Sequence, residues 1–254
     1  MKVVKKKLRL KTSVLKFIIF LCILGIAYSG YNIYSWKKSV DENNAIKEDS
    51  KKHIKVKKKK EKDTEVKEYK IDFEALKKTN PDTVGYIKVN NTNIDYVVVQ
   101  TKDNNYYLNH NFNKEKNRAG WIFLDYRNKL DESDRNIIIY GHNMKDGSMF
   151  ETLSNVFQKW WYEDSKNYTL TFTTEKGTNT YQVFSTYDIK PEDYYIKTSF
   201  RNDNEYSKFL KTIKSRSNHD YKTEVTKEDT ILTLSSCLGA GEKRVVLHAK
   251  KVKQ

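Results

Sequence analysis

From Phe17 to Trp36 the chain runs for twenty residues without a charged side chain. At a rise of 1.5 Å per residue that length covers about 30 Å as a helix, the thickness of a bilayer's hydrocarbon core. Lys2, Lys5, Lys6, Lys7, Arg9, Lys11 and Lys16 precede it, and Tyr28, Tyr31, Tyr34 and Trp36 crowd its far end as interfacial aromatics do. The run therefore predicts a single-pass anchor over residues 17–36. Its basic flank, residues 1–16, lies on the cytoplasmic side, and everything after Trp36 lies outside. A cleaved signal peptide is the competing reading, since Ala27-Tyr28-Ser29 weakly resembles a cleavage site; the apolar stretch is longer than a usual signal core.

This topology changes the meaning of the net charge of +15. Residues 1–36 carry +7, residues 37–70 carry +5, and residues 71–254 carry only +3. A strongly basic chain usually points to nucleic acid or a membrane surface. Here the excess sits in the flank and in a lysine-rich stretch, and nucleic acid is on the wrong side of the membrane. Residues 37–70, with Lys57-Lys58-Lys59-Lys60, hold too few apolar groups to offset ordering entropy, which predicts a charged, partly helical, solvated stalk. If the stalk binds anything, anionic wall polymer or lipid headgroups fit best.

A folded domain is expected over residues 71–254. Ile71, Phe73 and Leu76 suggest a short helix ended by Asn80-Pro81. Eight short runs rich in β-branched and aromatic residues then read as strands: 84–89, 94–99, 121–124, 136–140, 168–173, 181–187, 230–235 and 244–250. Two segments read as helices, Met149–Trp161 and Glu205–Ser217, the second with Tyr206, Phe209, Leu210 and Ile213 on one face. The fold class is thus mainly β with peripheral helices, a closed barrel or a sandwich.

Cys237 is the only cysteine outside the apolar run and ends the strand Thr230–Ser235. Buried small hydrophobe and nucleophile stand level for it on this residue alone. His142, in Tyr140-Gly141-His142-Asn143, also lies just past a strand, where the glycine permits a sharp turn. Arg244 opens the last strand, and the six residues after Cys237 read as a hairpin loop that returns Arg244 to the same end. A guanidinium there favours a thiolate and can donate to an oxyanion. His248, on Arg244's strand face, competes with His142 for the base role. No Cys-x-x-Cys or His-x-x-x-His spacing and no phosphate loop are present, so no cofactor or metal is expected.

Thr233-Leu234-Ser235-Ser236-Cys237 with Arg244 on a terminal strand resembles the active-site signature of the sortases, and Tyr140-Gly141-His142-Asn143 resembles their histidine motif. Phe123-Leu124-Asp125-Tyr126-Arg127-Asn128, Met149-Phe150 and the long helix before the cysteine strand resemble class B in particular. The resemblance covers roughly residues 71–254 plus the anchor. It implies an eight-stranded β-barrel and a membrane-anchored cysteine transpeptidase acting through a thioacyl-enzyme. Cys237 is then the nucleophile, His142 the acid/base and Arg244 the oxyanion stabiliser; Asn104, Leu108, Tyr195, Ile196 and Ser235 map to substrate contacts. The implied partners are secreted proteins bearing a C-terminal sorting motif. The implied acceptor is an amine of a peptidoglycan precursor or a pilin lysine. Some class B members carry an acidic residue soon after the cysteine, whereas here only Glu242 is acidic. That favours Cys-His-Arg over a Cys-His-Asp triad. An extracytoplasmic cysteine peptidase and a non-catalytic anchored binding domain are the rival readings.

Overall fold

The computed structural model describes residues 11–61, 64–237 and 243–252, with backbone alone for residues 57–61 and 64–68 and for Cys237. Helix α1 spans Thr12–Lys51 and is followed by a hairpin of β1 (Ile54–Glu61) and β2 (Thr64–Ile71). A short helix, α2 (Phe73–Thr79), starts on Asp72, whose carboxylate accepts from the Ala75 amide, and leads into the sheet. Its strands are β3 (Thr83–Val89), β4 (Asp95–Val99), β5 (Phe123–Leu124), β6 (Asn136–His142), β7 (Thr169–Thr174), β8 (Gly177–Ile189), β9 (Ile231–Cys237) and β10 (Arg244–Lys251). They close in the order β10-β8-β7-β3-β4-β5-β6-β9, so the expected eight-stranded barrel is present.

Closure leaves the barrel no unpaired edge, and its interior fills with alternate side chains such as Ile87, Val98, Ile139, Leu232 and Leu247. Two pairings are parallel, β4 with β5 and β6 with β9. A parallel pair cannot be made by a tight hairpin, so the segment between β6 and β9 travels around the barrel. It carries β7, β8, helix α3 (Lys159–Tyr162) and helix α4 (Asp203–Ser215). Asn202 caps α4 by accepting from the Glu205 amide, and Tyr206, Phe209, Leu210 and Ile213 are buried at i, i+3, i+4 and i+7. With Phe184, Tyr187 and Val246 they form a second core outside the barrel.

Three expectations change. Met149–Trp161 is not one helix: a 3₁₀ run over Glu151–Phe157 is broken at Gln158, whose ψ of 136° is extended, before the single turn of α3. Trp121 lies before the strand rather than in it, its indole Nε1 donating to Val97 O at 2.8 Å, so β5 is only two residues long.

The third change concerns residues 37–70, which form the end of α1 and then a hairpin. The last third of α1 docks on the barrel. Ser39, Asn43 and Ser50 are buried, Ile46 packs on the core, and Lys47 lies 4.0 Å from the centre of the Tyr96 ring. Asn43 Nδ2 donates to Gly120 O at 3.1 Å, Asn117 Nδ2 to Ser39 O at 3.1 Å, and Lys47 Nζ to Asn93 O at 2.8 Å. The docked face is mostly small and polar, with Asn43 and Lys47 satisfying loop carbonyls and Ile46 adding an apolar contact.

Candidate active site

The parallel register of β6 and β9 pairs Tyr140 with Ser235, Gly141 with Ser236 and His142 with Cys237. Neighbouring strands lie about 4.8 Å apart, so the backbones of the histidine and the cysteine are side by side at one rim of the barrel. On the other side of β9, antiparallel β10 pairs Val246 with Ser235. Val245 N, the next residue toward that rim, donates to Ser236 Oγ at 2.9 Å. Arg244 comes one residue further on, at the same end as Cys237.

His142 is half-buried, and its Nε2 lies 2.7 Å from Leu108 O. A carbonyl only accepts, so Nε2 carries its hydrogen, and Nδ1 is the ring nitrogen outside that contact. Leu108 closes a 3₁₀ turn over Tyr106–Leu108, and Trp121 N donates to Tyr107 O within it at 2.9 Å. Gly141 is not at a turn but inside β6. A Cβ there would come to 2.5 Å from Ile122 Cδ1 and 2.7 Å from Phe150 Cγ, so close packing beside the histidine, rather than backbone freedom, requires the glycine. Phe150 N donates to His142 O at 2.8 Å and closes the loop behind it.

Arg244 Nη1 donates to the Tyr195 hydroxyl at 3.3 Å, and that hydroxyl lies 2.9 Å from Ser235 Oγ. Tyr195 and Ser235 are both buried, and Tyr195 rises from a 3₁₀ turn over Tyr194–Ile196. The arginine is thus braced from beneath by a residue of a different loop.

His248 is fully buried and occupied at both nitrogens: Nδ1 lies 2.8 Å from Thr233 Oγ1 and Nε2 lies 2.8 Å from the Tyr187 hydroxyl. Burial lowers its pKa to about 3. It is a neutral structural hydrogen-bonding residue, buried away from the rim that carries His142. Thr233 also bonds Asn136 Oδ1 at 2.6 Å, while Asn136 Nδ2 donates to Lys197 O at 2.9 Å. His110 stacks on Tyr106 and His219 on Tyr162. No cluster of three His, Cys, Asp or Glu side chains suited to a metal occurs among the described residues.

Comparison with known proteins now bears directly on this rim. The family model of the Sortase domain matches residues 87–252, which takes in β9, β10 and the histidine strand. The chain belongs to the sortase family. Sortase B of Listeria monocytogenes is 43% identical over 142 residues, and sortase B of Staphylococcus aureus 40% identical over 159. Those matches cover 55% and 61% of this chain, and only 56% and 64% of the relatives' own lengths. A crystal structure of sortase B from B. anthracis in complex with AAEK1 superposes with a TM-score of 0.74 at 35% identity, covering 85% of this chain and 99% of that one. A Staphylococcus aureus sortase B–substrate complex gives a TM-score of 0.67 at 41% identity, covering 71% of this chain and 84% of that one.

Around the sortase rim, Asn104 and Leu108 lie on the loop that holds His142, and Tyr195 and Ile196 on the loop that braces Arg244. Asn104, Leu108 and Ile196 are half-buried, whereas Tyr195 and Ser235 are out of solvent. Glu242, weighed as a support for the histidine, lies outside the described residues. Sequence reasoning assigned no role to Asp125. It is fully buried and accepts from Arg127, Tyr140 and Asn104. Burial alone would raise its pKa, but hydrogen bonds from Arg127 and Tyr140 outweigh it and hold the carboxyl below the usual range. The signal was the Asp-x-Arg spacing in Asp125-Tyr126-Arg127, which lets a carboxylate and a guanidinium close on each other past a tight turn.

Proposed function

We propose that this chain is a class B sortase that acts as a membrane-anchored cysteine transpeptidase on secreted proteins bearing a C-terminal sorting motif. The reading rests above all on the pairing of His142 with Cys237 across β6 and β9, with Arg244 opening the strand on the other side. The Cys237 thiolate attacks the carbonyl carbon of a threonine in the motif. Arg244 donates to the oxyanion that forms, a role in which a fixed charge is worth most in a water-poor site. As the tetrahedral species collapses, the C–N bond breaks and His142 Nδ1 delivers its proton to the leaving amine. The thioester then takes the amine of a peptidoglycan precursor or a pilin lysine. Nδ1 accepts that amine's proton, the C–S bond breaks and the thiolate returns.

Helix α1 is the one helix among the described residues long and apolar enough to cross a membrane. In this proposal residues 17–36 are the span, with the N-terminus cytoplasmic and the barrel outside, where the substrates emerge. No cofactor takes part.

The test uses the full chain in detergent with a pool of quenched peptides holding a central threonine, with and without a peptide amine. Cleavage that becomes ligation when the amine is added supports transpeptidation, and cleavage that never transfers identifies a peptidase instead. Cys237→Ala should abolish both products while leaving the circular-dichroism spectrum unchanged. Turnover retained by that variant removes Cys237, and with it the sortase mechanism.

A further inference from the structure

Asp125 follows directly on β5, its own amide donating to Ile138 O of β6 at 2.9 Å. Its carboxylate is out of solvent yet receives five donors. Arg127 supplies three of them, Nε and the backbone N to Oδ1 at 2.8 and 2.9 Å and Nη2 to Oδ2 at 2.7 Å. The Tyr140 hydroxyl donates to Oδ2 at 2.8 Å, and Asn104 Nδ2 to the same oxygen at 3.0 Å. Arg127 Nη2 also reaches Ile196 O at 2.9 Å.

These contacts join three parts of the molecule that sequence separates widely. Asn104 begins the segment whose Leu108 carbonyl holds His142. Tyr140 stands two residues before His142 on β6. Ile196 adjoins Tyr195, whose hydroxyl receives Arg244. Asp125 is buried and Arg127 exposed, and a half-exposed ion pair of this kind is weak evidence for stability. What such a pair does supply is direction: a planar guanidinium fork and a carboxylate meet in one geometry.

We propose that Asp125, with Arg127, is a positioning residue that clamps the histidine-holding loop and the arginine-bracing loop into one wall of the peptide groove. The inference rests on the transpeptidase reading. It assigns Asp125 no proton transfer and no contact with the reacting atoms. Its work is to fix the distance between the Asn104–Leu108 and Tyr195–Ile196 segments before a peptide arrives, so that binding does not have to order them.

The experiment compares wild type, Asp125→Asn and Arg127→Lys as full chains in a Cys22→Ala background, where Cys237 is the remaining cysteine. The probe is the most rapidly cleaved member of the quenched threonine-centred peptide pool, and iodoacetamide alkylation reports the thiol independently of the groove. Asp125→Asn should raise KM about tenfold and lower kcat less, with the alkylation rate within twofold of wild type. Arg127→Lys keeps the charge on Asp125 but cannot also span to Ile196 O; it should raise KM about threefold to tenfold. A folded Asp125→Asn with wild-type KM overturns the clamp. If Asp125→Asn fails to fold, Arg127→Lys decides, and a wild-type KM there overturns it equally. Alkylation and kcat falling in step, with KM unchanged, would mean general damage to the rim and also overturn it. A wild-type chain that cleaves no member of the pool removes the transpeptidase reading itself, a different failure from an active wild type matched by Asp125→Asn.

Discussion

Replacing Tyr195 by Phe removes one oxygen and separates two roles that meet on it. Arg244 can only donate, so the Tyr195 oxygen accepts from it at 3.3 Å, which leaves the phenolic hydrogen for Ser235 Oγ at 2.9 Å. Ser235 is buried, and a buried hydroxyl deprived of its partner costs about 1–3 kcal/mol. About 2 kcal/mol on a domain of this size lowers Tm by roughly 4–8 °C. A hydrogen bond to a charged group contributes about 1.5–3 kcal/mol, and 3.3 Å belongs at the weak end. At about 1.4 kcal/mol per decade of rate, losing Arg244's brace should lower kcat/KM about tenfold. The double variant Tyr195→Phe/Ser235→Ala distinguishes the two effects. With both hydroxyls gone nothing buried is left unpaired, so Tm should return to within about 2 °C of wild type by the same reckoning. Peptide cleavage should stay about tenfold down, since Arg244 still lacks its bond to the Tyr195 hydroxyl. Differential scanning fluorimetry and steady-state cleavage of the quenched peptide measure the two quantities on the same preparations. The reasoning fails if Tyr195→Phe keeps kcat/KM within twofold of wild type, or if the double variant recovers activity together with Tm.

Gly141→Ala puts a methyl within 2.5 Å of Ile122 Cδ1 and against the Phe150 ring, an overpacking that should cost about 1–3 kcal/mol; a urea midpoint unchanged from wild type would show that the two side chains yield freely. His248, whose folded-state pKa is lowered to about 3, gives a pH signature. Between pH 6.5 and pH 3 the unfolded chain takes up a proton that the folded chain refuses. Its contribution is therefore fully present above pH 6.5 and falls by about 1.4 kcal/mol per pH unit on acidification. Urea titrations of His248→Gln over that window should lack this slope, and parallel pH profiles for the two proteins would contradict the assignment.

The barrel was legible because its strands are short runs of β-branched and aromatic residues, and the rim residues His142, Cys237 and Arg244 stood out because they sit at strand ends within motifs. What escaped has physical causes. Ser39, Asn43 and Ser50 make the docking face mostly polar, with Ile46 too isolated beside them for any hydrophobic periodicity to mark the end of α1 as part of the folded unit. Met149–Trp161 has helical spacing, yet the extended ψ at Gln158 turns the chain so that Trp161 enters the core while Trp160 stays exposed. Asp125 was given no role because its partners Asn104 and Tyr140 are remote in the chain. Local pattern reveals which strand a residue ends, but not which carboxylate a closed barrel will surround.

Helix α1 runs forty residues without a break from Thr12 to Lys51, about 60 Å, and its last stretch is fastened to the barrel through Asn43, Lys47 and Asn117. With Phe17–Trp36 in the bilayer, only about 22 Å of helix, residues 37–51, stands clear of it, and that length lies along the protein. Such an anchor is a bracket rather than a leash. On the proposed topology the docked helix would hold the barrel at one height and one angle to the lipid surface. Substrates would then be selected partly by how far their cleavage sites stand above their own membrane segments. Lengthening or shortening that spacer in a substrate should matter as much as changing a residue of its motif.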